Sequence, residues 1–243
     1  MTASSALPDL RSLLEQRFPD ATPVTHRTAE PVATGIAALD GILPNGGLPR
    51  GRLSVWMPQG GATGILRSAC VAVAATGERA AWIDGLGTIA GQFWKEGPVL
   101  VRPANRRNSL RAAEELLRCG GFALIVLTGS EPAGTEMVRL SRASREGGSA
   151  FVALTSHTSM ASVRLISRIM PHSYVWQRTP FGDPAEACSA VVKVRAQSLG
   201  WNRSAEFRIP IVQFEGRMDL EPGIVDRRGI RKPKLRTGEL HQN

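Results

Sequence analysis

Residues Met57 to Ile65, Met-Pro-Gln-Gly-Gly-Ala-Thr-Gly-Ile, have the glycine content of a loop that could hold phosphate. They follow an apolar run, Arg52–Met57, and lead into a helical pattern. A strand passing through a Gly-rich loop into a helix aims free backbone N–H groups and the helix dipole at one point. A working loop of this kind reads G-x-x-x-x-G-K-[ST]: the lysine reaches the outer phosphates and the hydroxyl holds magnesium. Depending on the frame, Thr63 or Gly64 stands in the lysine's place, and Gly64 or Ile65 in the hydroxyl's. No lysine occurs before Lys95, so no shift of frame restores the motif. Gly60, Gly61, Thr63 and Gly64 therefore read as a vestigial phosphate loop. Its glycines keep only the task of letting the backbone turn tightly.

Little else in the chain has the spacing of a reactive site. Asp84 closes an apolar run, as a strand-end acid or helix cap does. His157 is a lone loop histidine with no nucleophile pattern near it. No Ser/His/Asp arrangement, metal-ligand spacing or paired carboxylates stand out, so no catalytic, cofactor or metal residues are expected. Cys70, Cys119 and Cys188 are odd in number and widely spaced. Free thiols in a reducing cytoplasm are expected, with Cys70 and Cys119 buried in apolar helices.

The elements that would position the loop alternate. Helices are predicted over Ile36–Leu43, Gly64–Ala75, from a cap at Asn108 or Ser109 to Cys119, from a cap at Thr135 to Glu146, and over Ser159–Met170. A helical turn is predicted at Ile89–Trp94. Strands are predicted over Arg52–Met57, Arg79–Ile83, Pro98–Val101, Phe122–Leu127 and Ala150–Leu154. The continuous apolar strands and intervening helices give a βαβ series and a mostly parallel sheet covered on both faces. From Tyr174 onward, strands at Tyr174–Gln177, Ala190–Arg195 and Ala205–Val212 joined by tight turns predict an antiparallel edge. Residues 1–31 read as an N-terminal helix, Leu7–Phe18, with Leu10, Leu13, Leu14 and Phe18 on one stripe, followed by a Pro-rich linker. Residues 32–218 form the core and 219–243 a flexible tail rich in Pro, Gly and Arg.

Thr34-Gly35, Leu39-Asp40, Gly46-Gly47-Leu48-Pro49 and Gly51-Arg52, in that order before the Gly-rich loop, resemble the core of the RecA recombinase family. The likeness extends to about residue 215, where VVKVRAQSLGWNRSAEFRI resembles the closing strands of that core. The resemblance implies an α/β fold with a RecA-like core: a mostly parallel central sheet flanked by helices, and antiparallel strands on the C-terminal side. A RecA-type ATPase also needs a glutamate after the strand ending Trp82-Ile83-Asp84 and an aspartate ending Phe122–Leu127. Gly85-Leu86 and Thr128-Gly129 stand there instead. The two long DNA-binding loops of recombinases are missing as well. Gly129 to Gly134 runs straight into a helix, and Ser156-His157-Thr158 is expected to do the same.

At 243 residues and 42% hydrophobic, the chain can bury one good core. Its net charge is +9, and arginine supplies nearly all of the basic residues. A basic balance fits nucleic acid or acidic partners. Arg227, Arg228, Arg231, Lys232, Lys234 and Arg236 concentrate part of that charge in the tail. Further arginines recur at Arg102, Arg106 and Arg107, at Arg139, Arg142 and Arg145, and at Arg164 and Arg168, the last two expected on a helix. No apolar run is long enough to span a membrane and no secretory signal is seen, so a cytoplasmic location is expected.

A short, Arg-rich RecA-like chain with a ruined phosphate loop is most similar to the ImuA family, accessory proteins of bacterial mutagenic translesion synthesis. That resemblance implies an ImuB-like polymerase relative and RecA as partners, with an error-prone polymerase reached indirectly. DNA is expected to bind weakly and non-specifically at most, chiefly through the tail. The stripe Leu10, Leu13, Leu14 and Phe18 is the expected partner-binding element. Two other readings compete: a SulA-like inhibitor of cell division, and a RecA-family ATPase with an atypical nucleotide site.

Overall fold

Apolar runs flanked by glycine become the inner strands, because only a strand covered on both faces can bury every side chain. The computed structural model describes residues 30–57, 59–89, 97–157, 160–178, 181–182 and 184–211. These lie in the first of two compact units, Met1–Val212. The N-terminal stripe Leu10, Leu13, Leu14 and Phe18, most of Ile89–Trp94 and the basic tail fall outside the described residues.

Among those residues, β1 (Leu53–Met57), β2 (Ala80–Asp84), β3 (Val99–Val101), β4 (Leu124–Thr128), β5 (Ala150–Leu154) and β6 (Val163–Ile169) pair in parallel. The strands β7 (Val175–Arg178), β8 (Pro184–Ser198) and β9 (Trp201–Pro210) add antiparallel pairings. The order is β3-β2-β4-β5-β1-β6-β8-β7, with β9 paired to β8. This is an α/β fold with a mostly parallel central sheet, consistent with a RecA-like core.

Helices cover both faces. A short helix, α1 (Ala37–Asp40), precedes β1, and α2 (Ala62–Ala75) follows it. The apolar side of α2, Ile65, Leu66, Ala69 and Val73, packs in one core with Trp56, Trp82, Val152, Leu165 and Val192. The helices α3 (Arg106–Arg118) and α4 (Thr135–Gly147) pack on the opposite face. There Ala113, Leu117, Met137 and Leu140 meet Val55, Ile83, Ile125 and Phe151. Each such large side chain, fully removed from water, contributes about 1.5–3 kcal/mol. The C-terminal ends of α3 and α4 meet backbone to backbone: a Cβ on Gly147 would lie 1.7 Å from the Leu117 carbonyl oxygen.

Several boundaries move. The side chain of Asn105, not of Asn108 or Ser109, caps α3 by accepting the N–H of Asn108 at 2.9 Å. Gly134 precedes α4, so Thr135 is its first residue rather than its cap. The predicted helix Ser159–Met170 is wrong. Its residues form β6, with Val163, Leu165 and Ser167 buried and Arg164 and Arg168 exposed. That period of two is the strand's own, and a buried serine in an apolar row masks it in the sequence. The chain therefore passes from β5 over β1 into β6 through residues 155–162. Ser162 donates its N–H to Leu53 O at 2.9 Å where β6 starts.

Candidate functional site

The carboxyl ends of β1, β2 and β4 share one edge of the sheet, where an open α/β sheet holds its ligand. The Gly-rich loop leaves β1 there. Helix α2 starts at Ala62, so only residues 58–61 separate strand from helix. The expected loop Pro58–Gly64 is thus shorter, and Thr63 and Gly64 belong to the first turn of α2. Both are exposed, and neither has a basic side chain to offer a phosphate.

The short loop is also held down. Trp56 donates its indole N–H to Ser167 Oγ at 2.9 Å, and Ser167 Oγ donates to the Gly60 carbonyl at 2.6 Å. Trp56 and Ser167 are fully buried. Gly61 takes φ 78°, a left-handed conformation that favours glycine. A Cβ there would meet Val192 Cγ1 at 3.1 Å, so the turn lies against β8. Ile169 of β6 flanks Gly60 and Gly61. The space over the loop that a phosphate would fill is occupied by strand side chains. Gly60, Gly61, Thr63 and Gly64 are brought together, as a tight turn rather than a cradle.

Beside the loop, β2 ends at Asp84, which is buried. Its Oδ2 accepts the Ile89 N–H at 2.7 Å. Its Oδ1 and Ser130 Oγ, also buried, have no hydrogen-bond partner among the described residues. Gly85 occupies the expected glutamate position, and its N–H bonds Thr128 O at 2.9 Å. A Cβ at Gly85 would fall 2.4 Å from Ser130 Oγ, so no side chain fits there without rearrangement. Thr128 stands in the place of the strand-end aspartate. Its hydroxyl accepts the indole N–H of Trp82 at 3.1 Å and donates to the Ile83 carbonyl at 3.2 Å. No group of three or more His, Cys, Asp or Glu could hold a metal among the described residues.

His157 is exposed and lies 3.6 Å from Glu131, away from any nucleophile. The arginines of α3 and α4 line a groove of about 1000 Å³ between those helices. They are largely paired with acids. Arg106 Nη1 donates to Glu136 at 3.0 Å. Arg139 and Arg118 both bond Glu114, and Arg118 and Arg142 both bond Glu146. The hydrogen bond from Arg106 holds the Glu136 carboxyl below its ordinary pKa, against a small opposing effect of burial. Arg102 is tied to the Ile89 carbonyl.

Only Cys70 is buried, and burial pushes its thiol up to about 12. Cys119 is exposed, contrary to the expectation from its helical context, because it lies just past the end of α3. All three cysteines are free.

Ser167, Val192 and Ile169, which close the loop, escaped sequence reasoning. They lie more than a hundred residues along the chain from it, and no local pattern joins them. Compared with family models and with curated proteins, the chain matches none.

Proposed function

We propose that this chain is a non-catalytic RecA-like accessory protein of DNA-damage-induced mutagenic translesion synthesis, working by binding an ImuB-like polymerase relative and RecA. The observation that carries the reading is the closed loop at residues 58–61. A sheet consistent with a RecA-like core has its nucleotide position packed with Ile169 and Val192, on a chain without the loop lysine. A fold that keeps its architecture while losing every chemical group of ATP hydrolysis is left with surfaces as its means of action. The likeness of Thr34 to Arg52 to the RecA family and the ruined loop then favour the ImuA-like role.

The contact with RecA is assigned to the stripe Leu10, Leu13, Leu14 and Phe18, docking helix-in-groove. Truncating a buried anchor such as Phe18 to alanine costs about 2 kcal/mol at an interface. The deciding experiment is a pull-down from purified components against ImuB, RecA and FtsZ. Capture of ImuB, with RecA bound by the intact chain and lost in Phe18→Ala, supports the proposal. Capture of FtsZ alone replaces it with a SulA-like inhibitor of cell division, and turnover of Mg-ATP replaces it with an atypical ATPase.

A further inference from the structure

The sheet carries one face that no described helix covers. Cross-strand register defines it. Val55 of β1, which faces α3 and α4, pairs with Arg164 of β6. Arg164 pairs with Gln197 of β8, and Gln197 with Asn202 of β9. Two further rows on the same face read Ile166, Arg195, Ser204 and then Arg168, Lys193, Glu206. Val191 pairs with Arg208 beyond them. Arg164, Arg168, Lys193, Arg195 and Arg208 are all exposed. The acid in these rows is Glu206, which bonds Lys193 at 2.7 Å. The face is open because residues 155–162 cross from β5 to β6 without a helix among those described.

Three features fix the occupant. The rows are basic, and guanidinium groups match phosphate geometry two bonds at a time. The face lacks the apolar centre of a protein interface: Ile166 and Val191 are only half-buried among charged and amide side chains. Polar, strongly positive surfaces are the pattern of nucleic-acid contacts. Where β7 continues alongside β8 past β6, Tyr174 and Trp176 are 40% and 50% exposed, their ring centroids 6.0 Å apart. Exposed rings beside a basic track are what unstacked bases bind. A duplex keeps its bases stacked inside and would leave these rings unused.

We propose that this face of β6, β8 and β9 binds a single-stranded polynucleotide, its phosphates across Arg164, Arg168 and Arg195 and its bases on Trp176 and Tyr174. The surface is separate from the basic tail and does not depend on the proposed partners.

The test uses full-length protein carrying Arg227→Gln, Arg228→Gln, Arg231→Gln, Lys232→Gln, Lys234→Gln and Arg236→Gln, which silences the tail. Binding of a fluorescein-labelled oligothymidylate is followed by anisotropy across a salt series. We expect this background to bind. Adding Arg164→Thr, Arg168→Thr and Arg195→Thr should weaken binding by about tenfold or more and lower the salt slope by about 2, at roughly 0.7 per lost phosphate contact. Trp176→Ala alone should weaken it about fivefold or more. Circular dichroism and melting confirm that each variant folds, as expected of exposed positions. The proposal fails if the tail-silenced protein does not bind, or if either set of folded variants binds unchanged. It also fails if polyglutamate binds as tightly as the oligonucleotide, which would make the face a site for acidic protein chains.

Discussion

The indole N–H of Trp56 and the hydroxyl of Ser167, 2.9 Å apart and both sealed from water, join the central strand β1 to its neighbour β6. The same hydroxyl donates onward to Gly60. Replacing Ser167 by alanine strands a buried indole N–H and a loop carbonyl together. We expect Ser167→Ala to lose about 1–3 kcal/mol, seen as a lower urea midpoint with an unchanged slope. An unaltered midpoint would mean that the two partners find water or each other.

The loop's length, more than its missing lysine, excludes nucleotide. Supplying the lysine should therefore not restore binding. Calorimetric titration of Thr63→Lys with Mg-ATP is expected to give no heat beyond dilution, as for the unaltered protein. Micromolar binding by this variant would show that residues 58–61 open readily and that the lysine alone was limiting.

Thiol chemistry separates the cysteines by burial. Reaction with a disulfide reagent near pH 8 should modify Cys119 and Cys188 quickly in the native protein. Cys70, whose thiol ionises only near pH 12 in its apolar surroundings, should react after denaturant is added. Three fast thiols in native protein would place Cys70 in a region that opens.

The Arg106–Glu136 pair gives a signed pH dependence. Folding lowers the Glu136 pKa, so its stabilisation is present above the unfolded carboxylate's pKa. It is lost as pH falls through the lower, folded value. Glu136→Gln should therefore melt slightly below the unaltered protein at neutral pH. The two should converge in acid, below the ordinary carboxylate range. The gap should be small because the pair is partly exposed and screened by salt. A gap that widens in acid would contradict the direction of the shift.

How legible the molecule was depends on the range of the interactions involved. The apolar runs Leu124–Thr128 and Ala150–Leu154 announced buried parallel strands, since no other element buries both faces over so short a length. Glycines at 120–121 and 147–148 marked helix ends correctly. The misread stretch was Val163–Ile169, where Ser167 interrupts the apolar row and leaves a spacing that also suits a helix. What makes Ser167 an inward residue is Trp56, far away in sequence. The same distance hid the closing of the phosphate loop. Its loss of chemistry could be read from Thr63 and Gly64, but its occupation by Val192 and Ile169 needed the fold.

The pinned loop has a kinetic and evolutionary corollary. A nucleotide could enter only a form in which Gly60 and Gly61 have lifted from β6 and β8. Its apparent affinity would be diluted by the small fraction of molecules in that form. Strengthening the sheet closure thus deepens inertness, so selection for a firmer scaffold and selection against ATP use pull in one direction. A lineage that has tightened this contact would have to loosen its own core before any restored lysine could matter, which makes the loss of catalysis a one-way step.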